Sequence, residues 1–130
     1  DLEYFVNNQK NFDFLYLDPS RRDANGKRVV NLEECSPNIL QYKQQLLQIS
    51  PKIMLKLSPM LDIRQCLRLL PETSDVYVLS VDNECKELIL ILQHNIDKKN
   101  IKYHAINILK DKTDTFEYDE NYSIWFKVIE

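Results

Sequence analysis

The stretch Val76-Tyr77-Val78-Leu79-Ser80-Val81-Asp82-Asn83-Glu84-Cys85-Lys86-Glu87-Leu88-Ile89-Leu90-Ile91-Leu92 decides the fold. Val76 to Val81 reads as a β-strand, because β-branched and aromatic residues fill it. Asp82-Asn83-Glu84 reads as a turn. The apolar run that follows starts too soon for a helical crossover, which needs a dozen or more residues. A hairpin is the simplest link, so the strand around Leu88 to Leu92 runs antiparallel to its predecessor. Five consecutive Leu and Ile residues favour a strand buried on both faces over a helix.

Upstream, the rhythm is different. Asp1 to Gln9 reads as a short helix, with Leu2, Phe5 and Val6 at helical spacing. Asn11 to Leu17 is a short strand that stops at Asp18-Pro19, since Pro cannot continue a central ladder. Ser20 to Glu34 is a polar loop, with Asn25-Gly26 as its turn. Ser36-Pro37 announces a helix through about Ile49, Ser as the N-cap and Pro at the first helical position. Lys52 to Leu57 is the second strand. Ser58-Pro59 repeats the helix-start device, and Ile63, Cys66, Leu67 and Leu70 follow the i, i+3, i+4, i+7 spacing up to Pro71. Strand, helix, strand, helix, strand implies a parallel α/β sheet with crossover helices, closed by the antiparallel hairpin.

Downstream, Ile101 to Leu109 reads as another strand. Its apolar phase shifts between Ala105 and Ile106, which predicts a bulge there. Lys110 to Asn121 reads as a charged loop and Tyr122 to Ile129 as a last strand. The expected division is therefore residues 1–95 as one α/β unit. Residues 96–130 are further strands of that domain or the start of another.

Composition narrows the function. The chain has one glycine in 130 residues. A P-loop needs two glycines and a dinucleotide fingerprint three, so neither can be built from it. A 44% hydrophobic and 28% charged content suits a domain with a core. Net charge −3 gives no global nucleic-acid footprint. The apolar runs are too short to span a membrane. Three widely spaced cysteines (Cys35, Cys66 and Cys85) imply reduced thiols, hence a cytoplasmic protein, and neither a disulfide frame nor a zinc site. His94 and His104 stand without a Cys or His partner at ligand spacing and read as non-metal residues. The missing initial Met and the abrupt end at Val128-Ile129-Glu130 lead us to expect a piece of a longer protein.

In open α/β sheets, ligands bind beyond the carboxyl ends of the strands. Three such ends are Asp18-Pro19-Ser20-Arg21-Arg22, Ser58-Pro59-Met60 and Asp82-Asn83-Glu84, and as parallel neighbours they would cluster on one edge. A carboxylate, a rigid Pro and two arginines after a buried strand form the most informative group. Asp18 can accept a hydrogen bond from an amine or hydroxyl, while Arg21 or Arg22 grips an anion or a base face. The structural alternative has Asp18 capping the loop and the arginines paired with Asp23, Glu33 or Glu34. Ser58 and Pro59 are read as an N-cap pair that could also face a ligand, and Asn83 as a turn residue or a ligand contact. Arg21, Arg22, Lys27 and Arg28 form a local basic patch able to meet RNA phosphate.

Phe12-Asp13-Phe14-Leu15-Tyr16-Leu17-Asp18-Pro19 resembles the fourth strand and following loop of class I S-adenosylmethionine-dependent methyltransferases. Tyr16-Leu17-Asp18-Pro19-Ser20-Arg21-Arg22-Asp23-Ala24 is similar, more narrowly, to bacterial members with a THUMP-like domain. Glu33-Glu34-Cys35-Ser36-Pro37, Lys56-Leu57-Ser58-Pro59-Met60 and Ser80-Val81-Asp82-Asn83-Glu84-Cys85-Lys86-Glu87-Leu88 fit as well, so the resemblance covers residues 11 to 93. It implies a Rossmann-like sheet, here from its fourth strand onward, with a final hairpin that inserts an antiparallel strand. The glycine-rich cofactor loop would belong to strands before Asp1.

The resemblance also implies roles. Asp18 and Pro19 would place the methyl acceptor, with Ser20, Arg21, Arg22, Ser58, Pro59 and Asn83 around it. Asp18 and Asp1, the latter near the adenine, would touch S-adenosylmethionine. Amino-methyltransferases carry Asp/Asn-Pro-Pro-aromatic here, and Ser20 and Arg21 replace its last two residues. RNA uracil methyltransferases carry Asp-Pro-Pro-Arg, which is nearer. Those enzymes also need a nucleophilic Cys after the next strand, where this chain has Leu57-Ser58-Pro59. The expected function is methyl transfer to RNA by a parent protein, the isolated piece being inactive. The alternative is a non-catalytic module that pairs through its exposed first strand as a homodimer.

Overall fold

A computed structural model describes residues 2–8, 10–20, 22, 25–28, 30–94 and 100–119. Six strands form one sheet in the order β1-β2-β4-β3-β5-β6: β1 (Leu15–Leu17), β2 (Lys52–Leu57), β3 (Thr73–Val81), β4 (Glu84–Gln93), β5 (Lys102–Ile108) and β6 (Thr113–Asp119). The helices are α1 (Leu2–Asn7), α2 (Ile39–Ile49) and α3 (Ile63–Leu69). β1 and β2 are parallel, as are β3 and β5. β4 lies between β2 and β3 and is antiparallel to both. The switch of direction after Val81 therefore stands as the sequence implied.

The β3–β4 hairpin is closed by two residues of positive φ, Asp82 at 49° and Asn83 at 64°. Two such residues make a type I′ turn, whose twist matches that of the flanking strands. Asp and Asn tolerate this conformation better than other non-glycine residues. Asn83 is also held from the next strand. Its backbone N–H donates to Asn107 Oδ1 at 3.2 Å, and Asn107 Nδ2 donates to Asn83 Oδ1 at 2.8 Å. Gly26, with φ 77° and open space around its missing Cβ, is a turn glycine as expected.

The core lies on one face of the sheet. Ile53, Leu55 and Leu57 of β2, Leu88, Leu90 and Leu92 of β4, and Val76 of β3 pack with Leu46 and Leu47 of α2 and Cys66 of α3. Strand alternation puts Met54, Lys56, Ile89 and Ile91 on the opposite face, and none of these belongs to that core cluster. Four of the ten β4 residues, Leu88, Leu90, Ile91 and Leu92, are buried, and only one face of the strand packs into the helical layer. No helix among the described residues is long and apolar enough to cross a membrane.

Both helix starts differ from the sequence expectation. Asn38, not Ser36, caps α2, its side chain accepting from Leu40 N–H at 3.1 Å. Ser36 instead pairs with Ser20, and the Ser36-Pro37 peptide is cis. Asp62, not Ser58, caps α3, accepting from the N–H groups of Arg64 and Gln65. Ser58 forms a turn before it: its hydroxyl accepts from Met60 N–H and its carbonyl from Leu61 N–H. In each case the acidic or amide side chain nearer the helix takes the cap, and the earlier Ser-Pro bends the chain toward it.

Three further expectations are corrected. The first strand is three residues long, not the whole of Asn11 to Leu17. No register shift occurs between Ala105 and Ile106; the irregularities lie in the β3–β4 ladder, at Thr73/Asp75 and Leu79/Ser80. Residues 113–119 are not loop but strand β6, paired with β5 along its whole length. Its charges mislead because, among the described strands, β6 is last in the sheet, and five of its seven residues are exposed. The strand expected at Tyr122 to Ile129 lies outside the described residues.

Candidate functional site

Asp18 follows β1 directly, where the register Leu17↔Leu55 brings it beside Lys56 of β2. Neighbours across a parallel pair share a face, so the two side chains meet: Lys56 Nζ lies 2.6 Å from Asp18 Oδ2. The hydrogen bond to Asp18 raises the Lys56 pKa above its ordinary 10.5. Partial desolvation opposes it, and the charges of Asp18, Tyr16 and Glu87 reinforce it. The sequence alone does not mark Lys56 as a site residue. A lysine within an apolar strand next to a strand ending in Asp was the available signal. Asp18 remains half-exposed, and a carboxylate carries about four acceptor positions, so it can still take a hydrogen bond from a ligand.

Pro19 is buried and Ser20 is exposed. Ser20 N–H donates to the Ser36 carbonyl at 2.7 Å, so the chain leaving Asp18 is pinned to the segment before α2. The Ser20 hydroxyl donates to the Arg22 carbonyl and accepts from Arg22 N–H. Arg22 pairs with Arg28 across the loop, and its guanidinium donates to the Gly26 carbonyl at 2.7 Å. The Arg22 guanidinium therefore ties its own loop at the Gly26 carbonyl. Arg21, Asp23 and Asp1 lie outside the described residues.

The three strand ends do not form one cluster. Ser58 and Pro59 lie two to three residues past Lys56, so Ser58 is about 8 Å from Asp18 by strand spacing. Asn83 is much farther. The register Lys56↔Ile89↔Tyr77 makes Tyr77 level with Asp18. Asn83 is six residues beyond, about 20 Å along the sheet and about 14 Å across it. The inserted β4 and the greater length of β3 cause this separation. Asn83 sits in the turn and is held there by Asn107.

No thiol is poised for nucleophilic attack near Asp18. Cys66 is 1% exposed in the core, and burial, with the nearby Cys35 and Asp62, pushes its pKa up to about 11. Burial raises Cys35 likewise, with Glu34 adding to it. A thiolate is the competent nucleophile, so both stay inert at neutral pH. Among the described residues no group of three His, Cys, Asp or Glu side chains could hold a metal ion. His104, which reads as isolated in the sequence, instead contacts two carboxylates, Asp75 and Glu117.

No protein-family model and no curated protein matches the sequence. Among solved structures, the chain is similar to a crystal structure of a "putative methyltransferase" from Porphyromonas gingivalis. The two share 28% identity at a TM-score of 0.77, over 98% of this chain and 33% of that one. The fold is methyltransferase-like. The chain spans about a third of the length of that structure. Within this methyltransferase-like fold, the strand-end pair of Asp18 and Lys56 is the candidate functional site.

Proposed function

We propose that this chain is the acceptor-side half of a class I methyltransferase domain, of the THUMP-like bacterial type, whose natural protein transfers a methyl group from S-adenosylmethionine to RNA. The observation that carries this reading is the sheet order. β4 is inserted in reverse between β2 and β3, and β1 stands at the edge with Asp18-Pro19 at its carboxyl end. Residues 1–95 hold that half, and β5 with β6 extends the same sheet. The edge of β1 and the partly exposed Met54 and Ile89 on the sheet face opposite the helices are what the remaining strands and helices of such a domain would cover.

S-adenosylmethionine supplies an electrophilic methyl group when bound. This chain offers it the Asp18 carboxylate. The sequence holds one glycine, which sits in a turn, so a glycine-rich cofactor loop has to come from elsewhere. Asp18 accepts a hydrogen bond from the acceptor amine or hydroxyl, and Lys56 fixes the carboxylate's orientation. The buried Pro19 makes the turn rigid. Catalysis by this half is then orientation of the acceptor for in-line attack. The loop carrying Arg22, Lys27 and Arg28 projects from the same strand end and favours an RNA acceptor. Three free cysteines suit a cytoplasmic setting.

Calorimetry tests the division of labour. The 130-residue chain should give no saturable heat with S-adenosylmethionine, whereas the natural protein should. Saturable binding by the chain alone would overturn the half-site reading.

A second reading is favoured by the exposure of Phe14 (45%) and Tyr16 (53%) along the β1 edge. An unpaired apolar edge can pair with a second copy, giving a non-catalytic homodimeric module. Sedimentation decides: a dimer abolished by Tyr16→Lys supports the module, and a monomer at all concentrations removes it.

A further inference from the structure

We propose that His104 is a proton-operated clasp that ties strand β6, the last of the described strands in the sheet, to β3. Tyr77, His104 and Glu117 occupy one row across β3, β5 and β6, and Asp75 stands diagonally, two residues before Tyr77. His104 Nε2 is 3.0 Å from Asp75 Oδ1, and Nδ1 is 3.1 Å from Glu117 Oε1. The imidazole is 12% exposed, and the Tyr77 ring stacks on it at 4.2 Å, 8° from parallel.

The geometry needs a proton. An ionised carboxylate only accepts hydrogen bonds, and an imidazole donates from both nitrogens only when protonated. In the neutral ring, one nitrogen would turn a lone pair on a carboxylate oxygen. Imidazolium alone satisfies both contacts, as a cation bridging two carboxylates on two strands.

The two carboxylates are not equivalent, which gives the clasp a direction. Asp75 is 19% exposed, and its second oxygen receives the Ser74 hydroxyl at 2.6 Å. Ser74 in turn accepts from Gln93 Nε2 at 3.0 Å, so Asp75 is fixed to β3 and β4. Glu117 is 73% exposed on β6. When the ring loses a proton, the remaining N–H stays on the anchored Asp75, and Glu117 is released to water.

Few other charges intervene. β3 contributes Asp75 and the Tyr77 phenol, and β6 contributes Glu117. Lys102 on β5 shares the face two residues away, level with Asp75 and with Asp119 of β6, and Glu87 of β4 lies a strand further, opposite Leu79. Burial pulls the His104 pKa down. The hydrogen bonds and charges of Asp75 and Glu117 outweigh it, so it stands above its ordinary 6.5. A raised pKa stabilises the folded state in full below about 6.5, and that contribution is lost as pH rises through the folded value.

The test is an NMR titration of the His104 ring with amide exchange across pH, corrected for the intrinsic pH dependence of exchange. We expect the ring to titrate above 6.5. Protection of β6 amides should fall about tenfold through that midpoint while β2 amides stay level. Glu117→Gln, an exposed change that leaves the fold intact, should lower the midpoint and shrink the β6 step. His104→Gln should abolish it. A ring that titrates at or below 6.5, a midpoint unmoved by Glu117→Gln, or a β6 step that persists in His104→Gln would overturn the clasp.

Discussion

Leu90 and Ile91 are adjacent on β4 and have nearly the same bulk, yet truncating them should have different costs. Leu90 is fully buried in the helix-covered core, and Ile91 is 7% exposed on the other face, outside that core cluster. Changing either to Ala removes three carbons, about 2.4 kcal/mol of transfer free energy at ~0.8 kcal/mol each. At Leu90 the surroundings are closed by α2 and α3, so a residual cavity brings the total to about 3–4 kcal/mol. Ile91 is nearly as well covered but lies outside the helix-packed cluster, so the transfer term of about 2 kcal/mol stands with little cavity cost added. The difference of about 1–2 kcal/mol is roughly tenfold in the folding equilibrium. Urea unfolding of both variants measures it as a shift in midpoint at constant slope. Equal destabilisation would refute the one-sided core, and with it the claim that the second face awaits a cover.

Other perturbations follow from single features of the fold. Asn83→Ala should destabilise by about 1–2 kcal/mol, losing both the tolerated positive φ and the pair with Asn107, and thermal melts should show Asn83→Gly recovering part of it. Gly26→Ala should cost about 1 kcal/mol through its φ of 77° despite the open space around it, again by thermal melt. Of the three thiols, the exposed Cys85 should react at once with a disulfide reagent, and Cys35 and Cys66 only on unfolding, as absorbance kinetics would register. Lys56→Gln should leave the melting curve almost unmoved yet slow methyl transfer by the natural protein about tenfold, since it orients Asp18 rather than supporting the core.

The alternation of strand and helix and the abrupt hairpin after Val81 were legible because they rest on local chemistry: apolar period, chain length and turn residues. Helix starts were less so. Ser36 and Ser58 compete with Asn38 and Asp62 for the same orphan N–H groups, and only the packed helix decides which side chain is in reach. β6 was hidden because an edge strand need not bury its residues, so Thr113 to Asp119 looks like loop. At the site, Asp18 was legible as a polar stop to an apolar strand. Lys56 was not, because its meaning depends on which strand lies next to β1. Asn83 was grouped with Asp18 because three parallel strand ends suggest one edge. The strand order, with β4 between β2 and β3, is a non-local property that separates them. His104 gained both of its partners from strands 13 and 29 residues away in sequence.

The most direct test of the account is transfer of labelled methyl from S-adenosylmethionine to RNA by the natural protein, wild type against Asp18→Asn. The account predicts a rate at least a hundredfold lower in the variant, roughly 2.7 kcal/mol of lost transition-state stabilisation, with cofactor affinity nearly unchanged. Transfer at the wild-type rate in Asp18→Asn would contradict it.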